Sequence, residues 1–188
     1  MLALLTALLV ASPPGPTLIE GITDVDGDPG IHAAFDVDAD ADIVLELLWD
    51  VSRFKTLFPD INEITVLARP DDRTVEVRFV IDAVVAKPNY TLRRTIDRAA
   101  RHISWISIAG DVKKIVGHWQ ITAVPGEHRS RLTYQTVVDV GVPGASTLYR
   151  SLVMGKIEMV IDRVRAASMA AEAARSAATT SVVPSLSP

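Results

Sequence analysis

The chain has 188 residues, 48% of them hydrophobic and 22% charged, which fits one soluble globular domain with terminal extensions. The formal net charge of −4 is too small to indicate a polyanionic partner such as nucleic acid, and the absence of cysteine excludes disulfides and thiolate chemistry. The charge is unevenly distributed, because ten of the 23 acids precede Arg53 and no lysine or arginine lies among them. We interpret this as solvated faces of uneven sign, with orientation of the net basic remainder toward an anionic surface as the alternative.

Residues 1–12 predict a secretory signal peptide. The apolar run Met1–Ala11 has the length of a signal-peptide core, and Ala11 and Ser12 are small enough for cleavage. The run has no basic residue and Pro13 follows it, so a misassigned start codon or an N-terminal apolar helix are the alternatives. If the run is not cleaved, it would act as a membrane tether. We therefore expect export to the periplasm or the outside of the cell, and a cytoplasmic protein if the signal interpretation is wrong.

Residues 13–30 predict a linker rich in glycine, proline and aspartate. Within it, Asp24, Asp26 and Asp28 alternate as at the start of a calcium loop. No glutamate follows at the distance that would complete such a loop. The sequence therefore predicts a turn here and no metal.

The domain begins near Ile31, where apolar and polar residues alternate over residues 31–38 as in a half-buried strand. Asp40 is a candidate N-cap for a helix over residues 43–49, and a second helical piece over residues 52–57 ends before Pro59. Alternating patterns separated by turn residues then predict a meander of antiparallel strands. These strands cover residues 61–68, 74–85, 90–97, 102–108, 116–123 and 131–140.

Residues 146–167 predict a long amphipathic helix after the last strand. Its apolar stripe consists of Tyr149, Val153, Ile157, Val160, Ile161 and Val164. Such a stripe must be buried, and the preceding sheet is the large partner available. The pattern allows the helix to continue to Arg175, while the Ala- and Ser-rich composition of residues 169–188 predicts a largely disordered tail.

Several short strings support a resemblance to a known superfamily. They are Ala39–Val44, Trp49–Phe54, Phe58–Ile61, Gly117–Trp119 and Leu132–Tyr134. In their order and spacing, residues 31–168 resemble the START-like superfamily, specifically its polyketide cyclase/dehydrase and coenzyme Q-binding branch. The resemblance implies an α+β helix-grip fold, with a curved antiparallel sheet of about seven strands wrapped on the long C-terminal helix and two short helices after the first strand.

The resemblance also implies a cavity between the concave face of the sheet and the helix. Strand alternation and the helical stripe then give candidate lining residues, for which plain core packing is the alternative. They are Val77, Phe79, Ile81, Arg94, Trp105, Trp119, Ile121, Leu132, Tyr134, Thr136, Val138, Tyr149, Val153, Ile157 and Val160. If its strand face points inward, Arg94 offers a charge to a ligand carboxylate or carbonyl. If the opposite face points inward, Arg93 takes that role, and an arginine at the rim would only extend its head to solvent.

We predict a carrier or binding protein for a hydrophobic small molecule, which would be a lipid, an isoprenoid or a quinone-like compound. The basic turns at residues 98–101 and 113–114 would contact an anionic membrane surface during ligand transfer. No catalytic residue, metal site or cofactor is predicted, because the sequence has no phosphate-binding glycine loop, no nucleophile-elbow string and no histidine pair at metal-ligand spacing. His118, next to Trp119, is expected to point away from the cavity.

Two alternatives from other functional classes remain. In the first, the domain is a polyketide cyclase or dehydratase without metal or nucleotide cofactor, in which Arg94 and Tyr134 polarise carbonyls or move protons. The predicted signal argues against it, because such substrates are normally handled inside the cell. In the second, the domain is an interaction module whose hollow is filled by its own side chains.

Overall fold

The computed structural model describes residues 15–24, 26–82, 87–141 and 145–181, with side chains in all of these except residues 145–153 and 179–181. Within them, eight strands form one antiparallel sheet: β1 Leu18–Thr23, β2 Pro29–Val37, β3 Ile61–Ala68, β4 Thr74–Ile81, β5 Asn89–Asp97, β6 His102–Gly110, β7 Lys114–Ala123 and β8 Ser130–Asp139. The helices are α1 Ala41–Trp49, α2 Phe54–Leu57 and α3 Ala145–Ser181, and a 3₁₀ turn covers Val51–Arg53.

The strand order β1-β2-β8-β7-β6-β5-β4-β3 joins an early strand, β2, to the last strand, β8, in the interior of the sheet. The remaining neighbours are consecutive hairpins, as the meander of turns predicts. The sheet is curved and open, and α3 packs across it against β2, α1 and α2. The predicted helix-grip fold is confirmed.

Strand β1 lies in the region predicted as a linker, and it raises the strand number from about seven to eight. Its residues pair with β2 from Leu18 opposite Ala34 to Thr23 opposite Pro29. The alternating pattern is weak, because only Ile19 and Ile22 of the six residues are even half-buried. Edge strands bury little side-chain area, so periodicity gives little warning of them. The predicted signal at residues 1–12 lies outside the described residues.

Helix α3 runs well beyond the predicted residue 167, so residues 169–181 of the predicted disordered tail are helical. The composition explains this difference, because alanine has the highest helix propensity. Tertiary contacts add to it: Glu172 accepts a 2.9 Å hydrogen bond from the Asp40 backbone N–H, and Arg175 pairs with both Asp40 and Glu172. Residues 182–188 lie outside the described residues. Of the helices in the described ranges, none combines the length and apolar character that a membrane span requires.

Nine of the ten acids that precede Arg53 form ion pairs with a lysine or arginine of the chain, and the tenth, Glu20, contacts the His32 ring. The simple pairs are Asp36–Arg131, Asp38–Arg129, Asp42–Arg101, Glu46–Arg98 and Asp50–Arg53. Asp24, Asp26 and Asp28 share Lys114, and Asp40 pairs with both His128 and Arg175. Exposed pairs of this kind each stabilise a protein only slightly. The uneven charge of the sequence is therefore matched inside the molecule, where the acidic N-terminal region meets basic residues of the later strands and of α3.

The Asp24–Asp28 turn surrounds an ammonium group. Lys114 Nζ lies 2.7, 2.8 and 2.9 Å from the carboxylates of Asp24, Asp26 and Asp28. The hydrogen bond from Lys114 lowers the pKa of the Asp24 carboxyl, and the backbone N–H groups of Asp26 and Asp28 act in the same direction. The lysine thus supplies the positive charge that a metal ion supplies in a calcium loop.

Candidate functional site

A cavity of about 280 Å³ lies between the sheet, α2 and α3. This volume is close to the lower bound of roughly 300 Å³ that is typical of small-molecule pockets. Among the described residues, the non-aromatic part of the wall is formed by Pro59, Asp60, Ile61, Ile81, Asp82, Leu92, Arg94, Ile115, Thr136, Val138, Lys156, Ile157, Met159 and Val160.

Aromatic side chains are concentrated at this cavity, since it is lined by seven of the nine Phe, Trp and Tyr residues whose side chains the structure describes. They form two groups in ring contact, which are Phe54, Phe58, Phe79 and Tyr90 on one side and Trp105, Trp119 and Tyr134 on the other. The centroids in contact within these groups are 4.5–6.0 Å apart, in the range of favourable aromatic pairs. The register of the sheet brings the rings together, because Phe79 is opposite Tyr90 and Trp119 is opposite Tyr134.

Gly117 makes room for one of these rings. It is opposite Trp105 in the β6–β7 register, and a Cβ atom at position 117 would lie 2.6 Å from Cζ2 of that indole. The missing side chain lets the Trp105 ring lie directly on β7. The Gly117–Trp119 string therefore has a physical role in shaping the cavity wall.

Arg94 places a cation in this largely apolar wall, and its side chain is only 1% exposed. The guanidinium donates hydrogen bonds to Leu48 O at 2.6 Å and to Trp49 O at 3.1 Å. These carbonyls end α1, where a helix leaves carbonyl groups without intrahelical donors. The Trp49 and Phe54 rings lie 5.2 and 4.4 Å from Cζ, within the distance of cation–π contacts.

The charge of Arg94 has no counter-ion within the described residues. Burial lowers the pKa of Arg94 to about 9, which leaves the group cationic at neutral pH. The two carbonyl bonds use two of five N–H donors. Because a buried charge without a partner is costly, an electronegative ligand group beside Arg94 would be stabilised. Arg93 faces the other way and pairs with Glu76 at 2.9 Å, so the inward assignment of Arg94 is the one that the structure shows.

The rim of the cavity carries an exposed ion pair between α3 and the turn after α2. Lys156 Nζ lies 2.7 Å from Asp60, and the two side chains are 43% and 42% exposed. Asp82, also at the rim, pairs with Lys87 at 3.2 Å. The cavity therefore changes from a solvated, charged rim to an aromatic interior with one buried cation.

Ten of the predicted lining residues border the cavity: Phe79, Ile81, Arg94, Trp105, Trp119, Tyr134, Thr136, Val138, Ile157 and Val160. Three do not: Val77, Ile121 and Leu132 are buried in the core away from the cavity wall. Ile121 and Leu132 are opposite each other at the end of the sheet that lies near α1, and Val77 packs beside Leu92. Tyr149 and Val153 lie in the part of α3 whose side chains are outside the described residues.

Sequence reasoning missed other wall residues that had a readable signal. Phe54 and Phe58 are four positions apart and their rings are in contact, which is the spacing of neighbours on one helix face. Tyr90 and Leu92 share a strand face with Arg94, so all three reach the cavity together. The rim residues Asp60 and Lys156 had no such signal, because their pairing joins distant parts of the chain.

The basic turns predicted to contact a membrane are paired with acids of the same chain. Arg98 is 2.7 Å from Glu46, Arg101 is 2.7 Å from Asp42, and Lys113 is 2.6 Å from Asp139. Lys114 is held by the three aspartates described above. These turns therefore present little net positive charge to an anionic surface, and membrane contact stays a prediction.

Comparison with known families supports the fold from an independent direction. The family described as polyketide cyclase / dehydrase and lipid transport matches residues 37–165. No curated protein sequence matches the chain.

Solved structures show the same architecture. A protein from Thermus thermophilus aligns with a TM-score of 0.65 at 20% identity, over 76% of this chain and 99% of its own. A START superfamily protein from Mycobacterium smegmatis aligns with a TM-score of 0.64 at 17% identity, over 74% of this chain and 97% of its own. The Zhui aromatase/cyclase from a Streptomyces species aligns with a TM-score of 0.55 at 23% identity, over 76% of this chain and 89% of its own. At these identities the likeness extends to the fold alone.

Proposed function

Since the chain belongs to the polyketide cyclase / dehydrase and lipid transport family, we propose that it binds a hydrophobic small molecule in the cavity between the sheet and α3. The molecule is a lipid, an isoprenoid or a quinone-like compound with an electronegative group, and the protein acts as its carrier or binding protein. The observation that carries this proposal is the buried Arg94 in an aromatic-walled cavity.

The two parts of the cavity have separate roles in binding. Burial of apolar ligand surface against the two aromatic groups contributes roughly 25 cal/mol per Å². A carbonyl or carboxylate beside Arg94 adds a charge-assisted hydrogen bond of about 1.5–3 kcal/mol and fixes which end of the ligand enters first. The ligand would therefore lie with its electronegative end inward and its apolar body between the rings.

A cyclase or dehydratase is the second candidate, because Arg94 and Tyr134 line the same cavity. Arg94 would hold a substrate carbonyl and stabilise the negative charge that develops on its oxygen, while the Tyr134 hydroxyl would transfer a proton. A filled interaction module is disfavoured by the open volume. Export through the apolar run Met1–Ala11 remains part of the carrier proposal.

The test is native mass spectrometry of the protein purified from its own host, followed by solvent extraction of the bound material. We expect one apolar molecule with a carbonyl or carboxyl group per protein, and its loss from Arg94→Met. Arg93→Met is the matched control, because that neighbour lies on the opposite face of the same strand.

An unliganded wild-type protein from the host would contradict the carrier proposal. Conversion of an added polyketide-like substrate by the wild type, abolished in Arg94→Met, would favour the cyclase instead.

A further inference from the structure

Two histidines meet on the convex face of the sheet, opposite the cavity. His102 is on β6 and His118 is on the neighbouring strand β7, with ring centroids 5.3 Å apart and ring planes at 32°. Strand alternation places His118 on the opposite face from Trp119, which lines the cavity. Sixteen positions separate the two histidines, so no motif spacing in the sequence reveals the pair.

The centroid separation of 5.3 Å is compatible with two imidazole ligands of one metal ion. Metal–imidazole bonds of about 2.0–2.1 Å place the ring centres of two ligands on one ion roughly 5–6 Å apart. Within the described residues, neither ring forms a hydrogen bond or an ion pair with another group. Both rings are half-buried on adjacent strands in the interior of the sheet, whose register fixes their positions.

The surrounding groups suit a cation. Asp97 is opposite His102, while Ser104 and Gln135 are opposite His118, and all belong to the same face. The neutral imidazole is the form that binds metals. Within the described residues, no third His, Asp or Glu joins the two imidazoles in a ligand cluster, and the Asp97 carboxylate accepts a 2.9 Å hydrogen bond from the Ala100 backbone N–H, so water is the source of further ligands.

We propose that His102 and His118 form a binding site for a late first-row transition metal ion, which bridges β6 and β7 on the face away from the cavity. Imidazole ligands select Cu²⁺, Ni²⁺ and Zn²⁺ over Mg²⁺ and Ca²⁺, and the affinity order should place Cu²⁺ first. This site is independent of the proposed ligand cavity.

The test is titration of the metal-free protein with Cu²⁺ and with Ni²⁺ by calorimetry, together with electron paramagnetic resonance of the Cu²⁺ complex. We expect one ion per chain, nitrogen couplings from two imidazoles, and at least a tenfold loss of affinity in His102→Asn and in His118→Asn. Thermal melts of the metal-free variants verify that they are folded.

His128→Asn is the matched control, because His128 belongs to a different cluster with Asp40 and Glu172, where Arg175 already pairs with both carboxylates. Its affinity should equal that of the wild type. Loss of binding in His128→Asn with retention in the His102→Asn/His118→Asn double variant would overturn the proposal, as would equal affinity for Mg²⁺.

Discussion

The two ends of the concave face are built from the same strands but packed differently. At one end, Ile121 of β7 and Leu132 of β8 are buried, and α1 lies nearby, because its Asp42 pairs with Arg101, whose carbonyl accepts a hydrogen bond from the Ile121 backbone N–H. At the other end, Ile115 and Val138 of the same two strands border the cavity. We refer to these as the filled end and the hollow end.

The covering helices account for the difference. Helix α1 has nine residues and buries Val44, Leu45 and Leu48, aliphatic side chains that fill the space over the sheet. Helix α2 is a single turn, and Phe54, which it contributes to the hollow end, stacks on Phe79 of the wall. Rings that lie against the wall leave a gap that branched aliphatic side chains would occupy. Arg94 lies between the two ends, where it caps α1 and faces the cavity.

Truncation at the filled end should have the largest effect on stability. We expect Leu132→Ala to lower the free energy of unfolding by about 2–5 kcal/mol, because it creates a new cavity in a closed core. Val138→Ala on the same strand should cost less, below about 2 kcal/mol, because its side chain already borders open space. Urea denaturation measures both values, and equal costs would show that the two ends are not packed differently.

Gly117→Ala should disturb the aromatic wall. The added methyl would meet the Trp105 ring at 2.6 Å and Gln135 O at 2.4 Å, so we expect a loss of about 1–3 kcal/mol and a changed tryptophan emission spectrum. Gly155→Ala is the control, since a Cβ atom at that helical position meets nothing within 4 Å. That variant should stabilise the protein by about 0.5–1 kcal/mol. An unchanged spectrum in Gly117→Ala would show that Trp105 does not depend on the glycine.

Filling the hollow end should remove binding with little effect on folding. Val138→Phe places a larger side chain into the cavity, so we expect a stability change below about 1.5 kcal/mol and loss of the co-purifying molecule. Leu132→Phe should instead cost about 1–3 kcal/mol, because the filled end has no room for it. Retention of the ligand by a folded Val138→Phe protein would place the ligand elsewhere.

The smallest effect concerns an ion pair that ties α1 to the β5–β6 turn over the filled end. The hydrogen bond from Arg101 lowers the pKa of the Asp42 carboxyl in the folded protein. The pair's contribution is therefore fully present above the unfolded value of about 3.9 and is lost as the pH falls through the lower folded pKa. A double-mutant cycle of Asp42→Asn and Arg101→Gln should give about 0.2–1 kcal/mol at pH near 7. A coupling that grows on acidification would contradict this.

The sequence was informative about which face of a strand points inward, and less informative about which end of the concave face borders the cavity. Alternation correctly placed Phe79 and Trp119 on the inward face, because a strand has a strict period of two. It predicted that Arg93 and Arg94 face opposite ways but left open which of them points inward. It could not separate Val138 from Leu132, which also lie on one face, because the position of a covering helix decides which of them borders the cavity.

Features that depend on long-range pairing were also missed. Strand β1 is recognised by its ladder with β2 and not by its own pattern, and the helical extension around Glu172 depends partly on contacts with Asp40. The pairing of Lys156 with Asp60 joins residues 96 positions apart. Such contacts follow from the assembled sheet and leave no local signal in the sequence.

The most direct test of the account is calorimetric binding of two probes that differ only in an electronegative group, 2-naphthoate and 2-methylnaphthalene, to the wild type, Arg94→Met and Arg93→Met. We expect the wild type and Arg93→Met to prefer the carboxylate, and Arg94→Met to lose about 10- to 100-fold of that preference while remaining folded. Equal preference in the wild type and Arg94→Met would contradict the role of Arg94 at the hollow end.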